Sequence, residues 1–407
     1  MHQLFPMWLI NLYYDAFKGL NRYVWLLALA NLINRTGSMV LPFMTLYLTK
    51  DLGIDMGNAG YAMSAYGIGS IIGSYGGGKL ADRFHYKNIQ VWSLLGSTVL
   101  LIPLIFLRSY PLIILTVFVF SIVTEAFRPA NTVAIAAYSK PENRTRSFSL
   151  MRLAFNLGFS LGPAIGGVVA GTLGYKWLFL LDAVTCLLAA LVLIFALPTK
   201  AREQKLDDEE KFYSPPSESV YKDKQFIGFI VMVALYAICF FQMFATVPVF
   251  FARDMHLSEP IIGLLLALNG ALVVILEMPI VAKLGNYKRF MLLISAGTIC
   301  MAIAYAILLA GNPWIGFAIF YTFMITLSEI FAMPFMMNFS ISRAPKARQG
   351  EYVAVYSMAY GAAHILAPTL GLAIADHYNF GTLFGVLTVV SIILAWAFYM
   401  MRAKHSL

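Results

Sequence analysis

The sequence predicts an all-α membrane protein of twelve transmembrane helices in two pseudo-symmetric six-helix bundles. Three observations carry that reading. The first is composition: 60% apolar and 12% charged residues in 407 positions, with a mean hydropathy of +0.75, where a soluble chain carries charge at about a quarter of its positions. The second is a set of apolar stretches, each about 20 residues and long enough to cross the hydrocarbon core. The third is an internal repeat. Thr124-Glu125-Ala126-Phe127 is matched 204 residues later by Ser328-Glu329-Ile330-Phe331. Leu41-Pro42 is matched by Val247-Pro248, His85-Tyr86-Lys87 by Asn286-Tyr287-Lys288, and Gly162-Pro163 by Ala367-Pro368, all at offsets between 201 and 206.

The predicted spans are 23–49, 58–80, 90–107, 111–138, 148–171 and 177–197 in the first half, and 225–251, 258–281, 289–310, 314–338, 350–376 and 382–401 in the second. The halves are therefore 23–197 and 225–401, joined by the long polar stretch 198–224 and flanked by segments 1–22 and 402–407. Residues Leu4 to Tyr14 are apolar but too short to span and have no basic leader, so they are expected to form an interfacial helix and not a cleaved signal. No connecting loop is long enough for a soluble catalytic domain.

Charge sets the expected orientation. Of the 29 Lys and Arg, 22 fall on the side that holds both termini, and only Lys50, Arg108, Lys176 and Arg253 on the other. The positive-inside rule then puts both termini in the cytoplasm of a plasma (inner) membrane. It also accounts for the net charge of +9 through anionic lipid headgroups, with no nucleic-acid partner. Cys186, Cys239 and Cys300 lie inside spans, without paired spacing, and read as small apolar fillers. No metal site or cofactor is expected, and neither a Gly-x-Ser-x-Gly elbow nor a His-Glu-x-x-His helix is present, so the chain is not expected to be an enzyme.

Three motifs add detail. Between the second and third spans the chain reads Gly78-Lys79-Leu80-Ala81-Asp82-Arg83-Phe84-His85-Tyr86-Lys87. This resembles the signature loop of the major facilitator superfamily, Gly-x-Leu-Ala-Asp-Arg-x-Gly-Arg-Lys, with His85 and Tyr86 in place of Gly and Arg. The resemblance implies that Gly78 lets helices approach and that Asp82, Arg83 and Lys87 serve a gate. In the fourth span, Arg128-Pro129-Ala130-Asn131-Thr132-Val133-Ala134-Ile135-Ala136-Ala137 is similar to that family's Arg-x-x-Gln-Gly-x-Gly-x-Ala-Ala. In the fifth, Gly158, Gly162, Pro163, Gly166 and Gly167 fit the antiporter motif of the drug:proton antiporters, Gly-x8-Gly-x3-Gly-Pro-x2-Gly-Gly, with Ser149 at its first glycine. Residues 158, 162 and 166 form a smooth stripe for close helix packing. The resemblance covers nearly the whole chain and implies the major facilitator fold and a proton-driven exporter.

Ionisable residues inside spans are costly and are functional suspects. Glu329 has no basic neighbour one turn away and is the leading candidate for a proton site, with Glu125 second. Glu125 and Arg128 share a helical face, and their ion pair would serve either proton coupling or tolerance of a buried charge. Arg35 is expected either in a cavity or paired with Glu125 or Asp182. Asp182 itself reads as a satisfied structural carboxylate, Arg152 as a gate or a headgroup anchor, and Glu277 as a gate residue. His364, which titrates near neutrality when unperturbed, is either a cavity residue or a structural hydrogen-bonder. Asn131, Gln242 and Phe241 are further cavity candidates, the last in an aromatic run on the seventh span that either lines the cavity or faces lipid.

The expected partners are protons, a small-molecule cargo and membrane lipids, with the chain acting as a monomer. Proton-linked uptake of a nutrient such as a peptide or sugar is the transport alternative. A receptor on a carrier scaffold is the alternative outside transport.

Overall fold

The computed structural model describes residues 19–139, 144–198, 220–284, 289–310, 314–344 and 349–403. The interfacial segment expected at 4–14 and most of the central polar stretch lie outside them. Twelve helical segments follow one another: α1 Arg22–Asp51, α2 Met56–Arg83, α3 Tyr86–Leu104, α4 Tyr110–Tyr138, α5 Arg144–Thr172, α6 Lys176–Ala196, α7 Lys224–Arg253, α8 Glu259–Leu284, α9 Phe290–Leu308, α10 Ile315–Arg343, α11 Gln349–His377 and α12 Phe380–Ala403. All but α2 and α3 are both long and apolar enough to span a membrane. Those two are less apolar for a visible reason. α2 is rich in glycine and serine, and α3 carries Lys87, Asn88, Gln90 and Ser93 in its first turns. Gln90 and Ser93 are buried and bonded to α4, through Asn131 Oδ1 at 2.9 Å and the Val123 carbonyl at 2.6 Å.

Side-chain caps fix several starts. Asp55 Oδ1 accepts from the Asn58 N–H at 2.8 Å, His85 Nδ1 from Lys87 at 3.2 Å, and Asn379 Oδ1 from Thr382 at 2.7 Å, each satisfying an orphan donor of the first turn. Prolines set the interior breaks. α1 is interrupted at Ser38–Met39, α4 at Ala126 and α7 at Thr246, shortly before Pro42, Pro129 and Pro248, whose rings remove a backbone donor.

The repeat is three-dimensional. Pro42, Pro129 and Pro163 have counterparts in Pro248, Pro334 and Pro368 at offsets of 206, 205 and 205. The N-cap of α1, Asn21, donates to the carbonyl at the end of α4, Tyr138, at 3.3 Å. In the second half the N-cap of α7, Asp223, takes two 2.7 Å bonds from Arg343 at the end of α10, and Tyr352 of α11 adds a third at 3.1 Å. Within the halves α1 packs on α5 and α6, α2 on α4, α3 on α6, α7 on α11, and α9 on α10 and α12. Between the halves the extensive pairs are α5 with α8 and α2 with α11.

Gly78 corrects a motif expectation. A Cβ there would meet nothing within 4 Å, whereas one at Gly77 would lie 2.5 Å from Ala126 Cα. The contact face of α2 runs through Gly69, Gly73 and Gly77, and the 100° step per residue turns position 78 off it. The motif's glycine is therefore not the one that brings the helices together.

Two outcomes follow. Gly77→Ala should cost about 1–3 kcal/mol by overpacking, while Gly78→Ala should be neutral or gain up to about 1 kcal/mol of helix propensity, as read by unfolding midpoints in detergent. For Asp223, burial opposes the charged form, but the Arg343 bonds, the Phe226 N–H and Tyr352 outweigh it and hold the carboxyl below its ordinary 3.8. Its stabilisation is thus fully present above the unfolded-chain value and lost as pH falls through the lower folded one. Asp223→Asn should cost about 1–2 kcal/mol at neutral pH, and the gap to the unsubstituted protein should close in acid.

Candidate functional site

The seam between the halves is tightest toward the end opposite the chain termini. There Gly167 of α5 faces α8 so closely that a Cβ would sit 2.5 Å from the Glu259 carbonyl oxygen, and one on Gly263 would sit 2.2 Å from the Pro163 oxygen. Ser160 Oγ donates to the Ala267 carbonyl at 2.8 Å. On the other side of the seam a Cβ at Gly60 or Gly67 of α2 would come within 3.0 Å of the Pro368 or His364 oxygens of α11, and Ser64 Oγ donates to the Ile365 carbonyl at 2.7 Å. The main apolar core, including Phe43, Tyr47, Met56, Phe250 and Phe251, runs across both halves at this end, while the terminal end of the first half has a separate core around Val24, Leu27, Phe127 and Leu193.

The antiporter-like stretch has two working faces. Gly158, Gly162 and Gly166 lie against Arg35, Thr36 and Met39 of α1, as the stripe predicts. Pro163 and Gly167 lie against α8, and so tie α1, α5 and α8 into one layer. The side chain of Ser149 is outside the described set, as are those of Asp82 and Arg83.

An ion pair crosses the seam at each end. At the terminal end Arg152 Nη2 of α5 meets Glu277 Oε1 of α8 at 2.5 Å. At the opposite end Lys50 Nζ of α1 meets Glu259 Oε1 of α8 at 2.8 Å, and the Tyr175 hydroxyl donates to the same oxygen at 2.9 Å. Glu259 and Glu277 are 18 residues apart on one helix, five full turns, so both fall on the same face about 27 Å from each other.

Between these ends an aromatic path links the two halves. The Arg35 guanidinium lies 4.7 Å from the centre of the Phe155 ring, which stacks with Phe159 at 6.1 Å. Phe159 meets Phe244 of α7 edge-on at 5.5 Å, and Phe244 leads to Phe241. Phe241 stacks on His364 at 3.9 Å and contacts Tyr360, whose hydroxyl accepts from Tyr356 at 3.1 Å. Phe241 and His364 are thus set together at the seam, and the imidazole is exposed.

Glu329 of α10 is partly buried, and its Oε2 accepts from Asn269 Nδ2 of α8 at 3.2 Å. The same amide donates to Thr326 Oγ1 at 2.9 Å, and the neighbouring Ser328 hydroxyl lies 3.0 Å from the Tyr236 hydroxyl of α7. Among the described residues no cation lies within 4.0 Å of Glu329.

Other expected contacts are absent or fall elsewhere. Glu125 and Arg128 form no ion pair within 4.0 Å, and the turn at Ala126 falls between them. Arg35 pairs with neither Glu125 nor Asp182 and rests on Phe155 instead. Gln242 is 1% exposed and ties α7 to α11 by donating to the Ala367 carbonyl at 2.8 Å. It lines no cavity. Asn131 is bound to Gln90 within the first half, and Lys87 donates to the carbonyls of Ile194 and Leu197 at the end of α6, so neither crosses the seam. Phe155, Phe159, Asn269, Lys50 and Glu259 join the site without being specified by any sequence motif. A polar Asn269 within an apolar span was the available signal; the others gave none until α5 and α8 were placed together.

A groove of about 500 Å³ between α9 and α12 is unlike the seam. It is lined by Ile299, Ile303, Ile392 and Trp396, and two of its hydroxyls, Ser295 and Thr388, are bonded to helix carbonyls.

Two helical halves meeting along a seam of internal aromatic and ionisable groups form the architecture of an integral multi-pass membrane protein. The chain belongs to the Major Facilitator Superfamily, whose profile matches residues 24–368. An uncharacterized MFS-type transporter of Bacillus subtilis (strain 168), YttB, is 24% identical over 377 residues, covering 90% of this chain and 92% of its own. A Na(+), Li(+), K(+)/H(+) antiporter of Planococcus maritimus is 23% identical over 390 residues, covering 87% and 89%. A crystal structure of the peptide transporter POT shares the fold at a TM-score of 0.81 and 16% identity, covering 95% of this chain and 96% of that one.

Removing one clasp should loosen one end alone. With the three cysteines replaced and spin labels at Leu173 and Tyr378, Glu259→Gln should shift the distance distribution to longer values and Arg152→Gln should not. Identical distributions for Glu259→Gln and the unsubstituted protein would refute the clasp.

Proposed function

We propose that this protein is a proton-coupled exporter of small amphipathic solutes that works by alternating access in a bacterial inner membrane, with both termini cytoplasmic. The observation that carries the reading is Glu329: a carboxylate at the α8–α10 contact, held by one amide and free of any described cation partner. Such a group can bind and release a proton without breaking an ion pair. Glu125, near Arg35 and His364, is the second candidate. The aromatic path from Phe155 to Tyr360 supplies flat apolar faces for a cargo with both greasy and polar parts.

Direction rests on resemblance. The stretch from Gly158 to Gly167 is of the antiporter type, and the Planococcus relative is named as an exchanger of cations for protons. In this reading protons enter from outside as cargo leaves. One charge crossing about 100 mV is worth about 2.3 kcal/mol, enough for roughly a fifty-fold gradient before any pH difference contributes. Arg152–Glu277 and Lys50–Glu259 are the inner and outer gates.

The test is flux in proteoliposomes loaded with ethidium, a hydrophobic cation, under an imposed proton gradient. Gradient-driven ethidium movement is expected, and Glu329→Gln should abolish the gradient-driven part while leaving passive exchange. Full coupling in Glu329→Gln and in the double Glu125→Gln variant would remove both carboxylates from the mechanism.

A further inference from the structure

Asp182 lies on α6 and is 5% exposed. Its hydrogen-bond partners are the Cys186 thiol, 3.7 Å from Oδ1, and the Val40 backbone N–H, and Cys186 in turn accepts from Asn34 Nδ2 at 3.5 Å. Among the described residues no Lys, Arg or His nitrogen comes within 4.0 Å of it. An ionised carboxylate in such a place has little to offset its lost hydration.

Asp182 also borders a cavity of about 60 Å³ shared with Arg35, Ser38, Tyr66, Thr124 and Phe159. A single water needs about 10–15 Å³, so the space has room for more than one. Arg35 is incompletely engaged in the same place: its Nε is buried without a hydrogen-bond partner, and the guanidinium lies over the Phe155 ring. A cation and a carboxylate thus border one small space of mixed polar and apolar lining, and neither is bonded to the other.

We infer that Asp182 is a second proton-carrying site of this protein: its carboxyl holds a proton in this conformation and gives it to a cavity water when Arg35 leaves Phe155 and takes its place. The O–H bond of Asp182 breaks, the proton leaves as hydronium, and the Arg35 guanidinium becomes the counter-ion of the carboxylate. The groups facing Asp182 fit this assignment. α1 contributes Arg35, α2 Tyr66, α4 Glu125 and Arg128 beyond Thr124, and α6 itself Cys186; α5 presents Phe159 and α3 presents Thr98, neither of them titratable near neutrality. A metal cation is a poor occupant beside Arg35. The position differs from Glu329, which lies in the other half, and the inference rests on the proton-coupled reading above.

The experiment needs no cargo. The full chain, labelled at aspartate Cγ with ¹³C, is reconstituted in nanodiscs and observed by NMR at neutral pH. One aspartyl resonance at the protonated-carboxyl position is expected, absent in Asp182→Asn and moved to the ionised position in Phe155→Leu, which frees Arg35. Should Asp182→Asn fail to fold, Cys186→Ser replaces the thiol by a stronger donor and must move the same resonance. An Asp182 already ionised in the unsubstituted protein, or one indifferent to Phe155→Leu, overturns the inference. Failure here leaves the Glu329 flux result standing, and a failed flux result with a protonated, Phe155-sensitive Asp182 would condemn the coupling reading alone.

Discussion

Backbone-to-backbone contact at two helix crossings is the constraint on which the rest of this molecule depends. Where α5 meets α8 and α2 meets α11, glycines and small hydroxyl residues let main chains approach so closely that a Cβ would clash at the first crossing and be tight at the second. In lipid there is little hydrophobic gain from pressing helices together, so such contacts rely on dispersion and on hydrogen bonds between chains. They form and separate without moving bulky side chains. A seam that must open repeatedly is better built from smooth surfaces than from interlocking ones.

That constraint decides where polar groups sit. With the end opposite the termini zipped, the seam's interior is left to residues that lipid would not accept. Glu329 finds Asn269, Arg35 finds the face of Phe155, and His364 finds Phe241. None of these is a strong ion pair. The two pairs that do span the seam, Lys50–Glu259 and Arg152–Glu277, are at its ends, where each includes a partner more than one-third exposed. Exposed pairs are worth at most about 1 kcal/mol, so these contacts bias an equilibrium between conformations and do not lock it.

Much of this was legible from residue order, and the limits were geometric. The repeat offsets, the 158/162/166 stripe and the intramembrane carboxylates are properties of spacing, and spacing survives folding. The Glu125–Arg128 spacing suits a pair on one helical face, yet no ion pair forms across the turn at Ala126, and spacing alone does not show where the two side chains end. Gly78 carried the motif but Gly77 carries the contact, a difference of 100° that pattern matching cannot see. Gln242 and Asn131 are polar residues inside spans whose partners lie on the neighbouring helix, so from sequence alone they look the same as cargo contacts. Glu259 opens a span and reads as an ordinary helix-start acid until α1 brings Lys50 beside it.

The placement of both clasps on α8 has a consequence for how the halves move. Glu259 and Glu277 share one face of a single rigid helix, so tilting α8 against α5 lengthens one contact as it shortens the other. The close contacts from Gly263 to Gly270 lie between the two clasps and act as the fulcrum. Helix α5 is joined through Gly158 and Gly162 to the stretch of α1 that carries Arg35. The same tilt must therefore press on the segment that positions the guanidinium. In the proposed mechanism, gate and charge site are linked through three helices in direct contact, and no longer pathway is required.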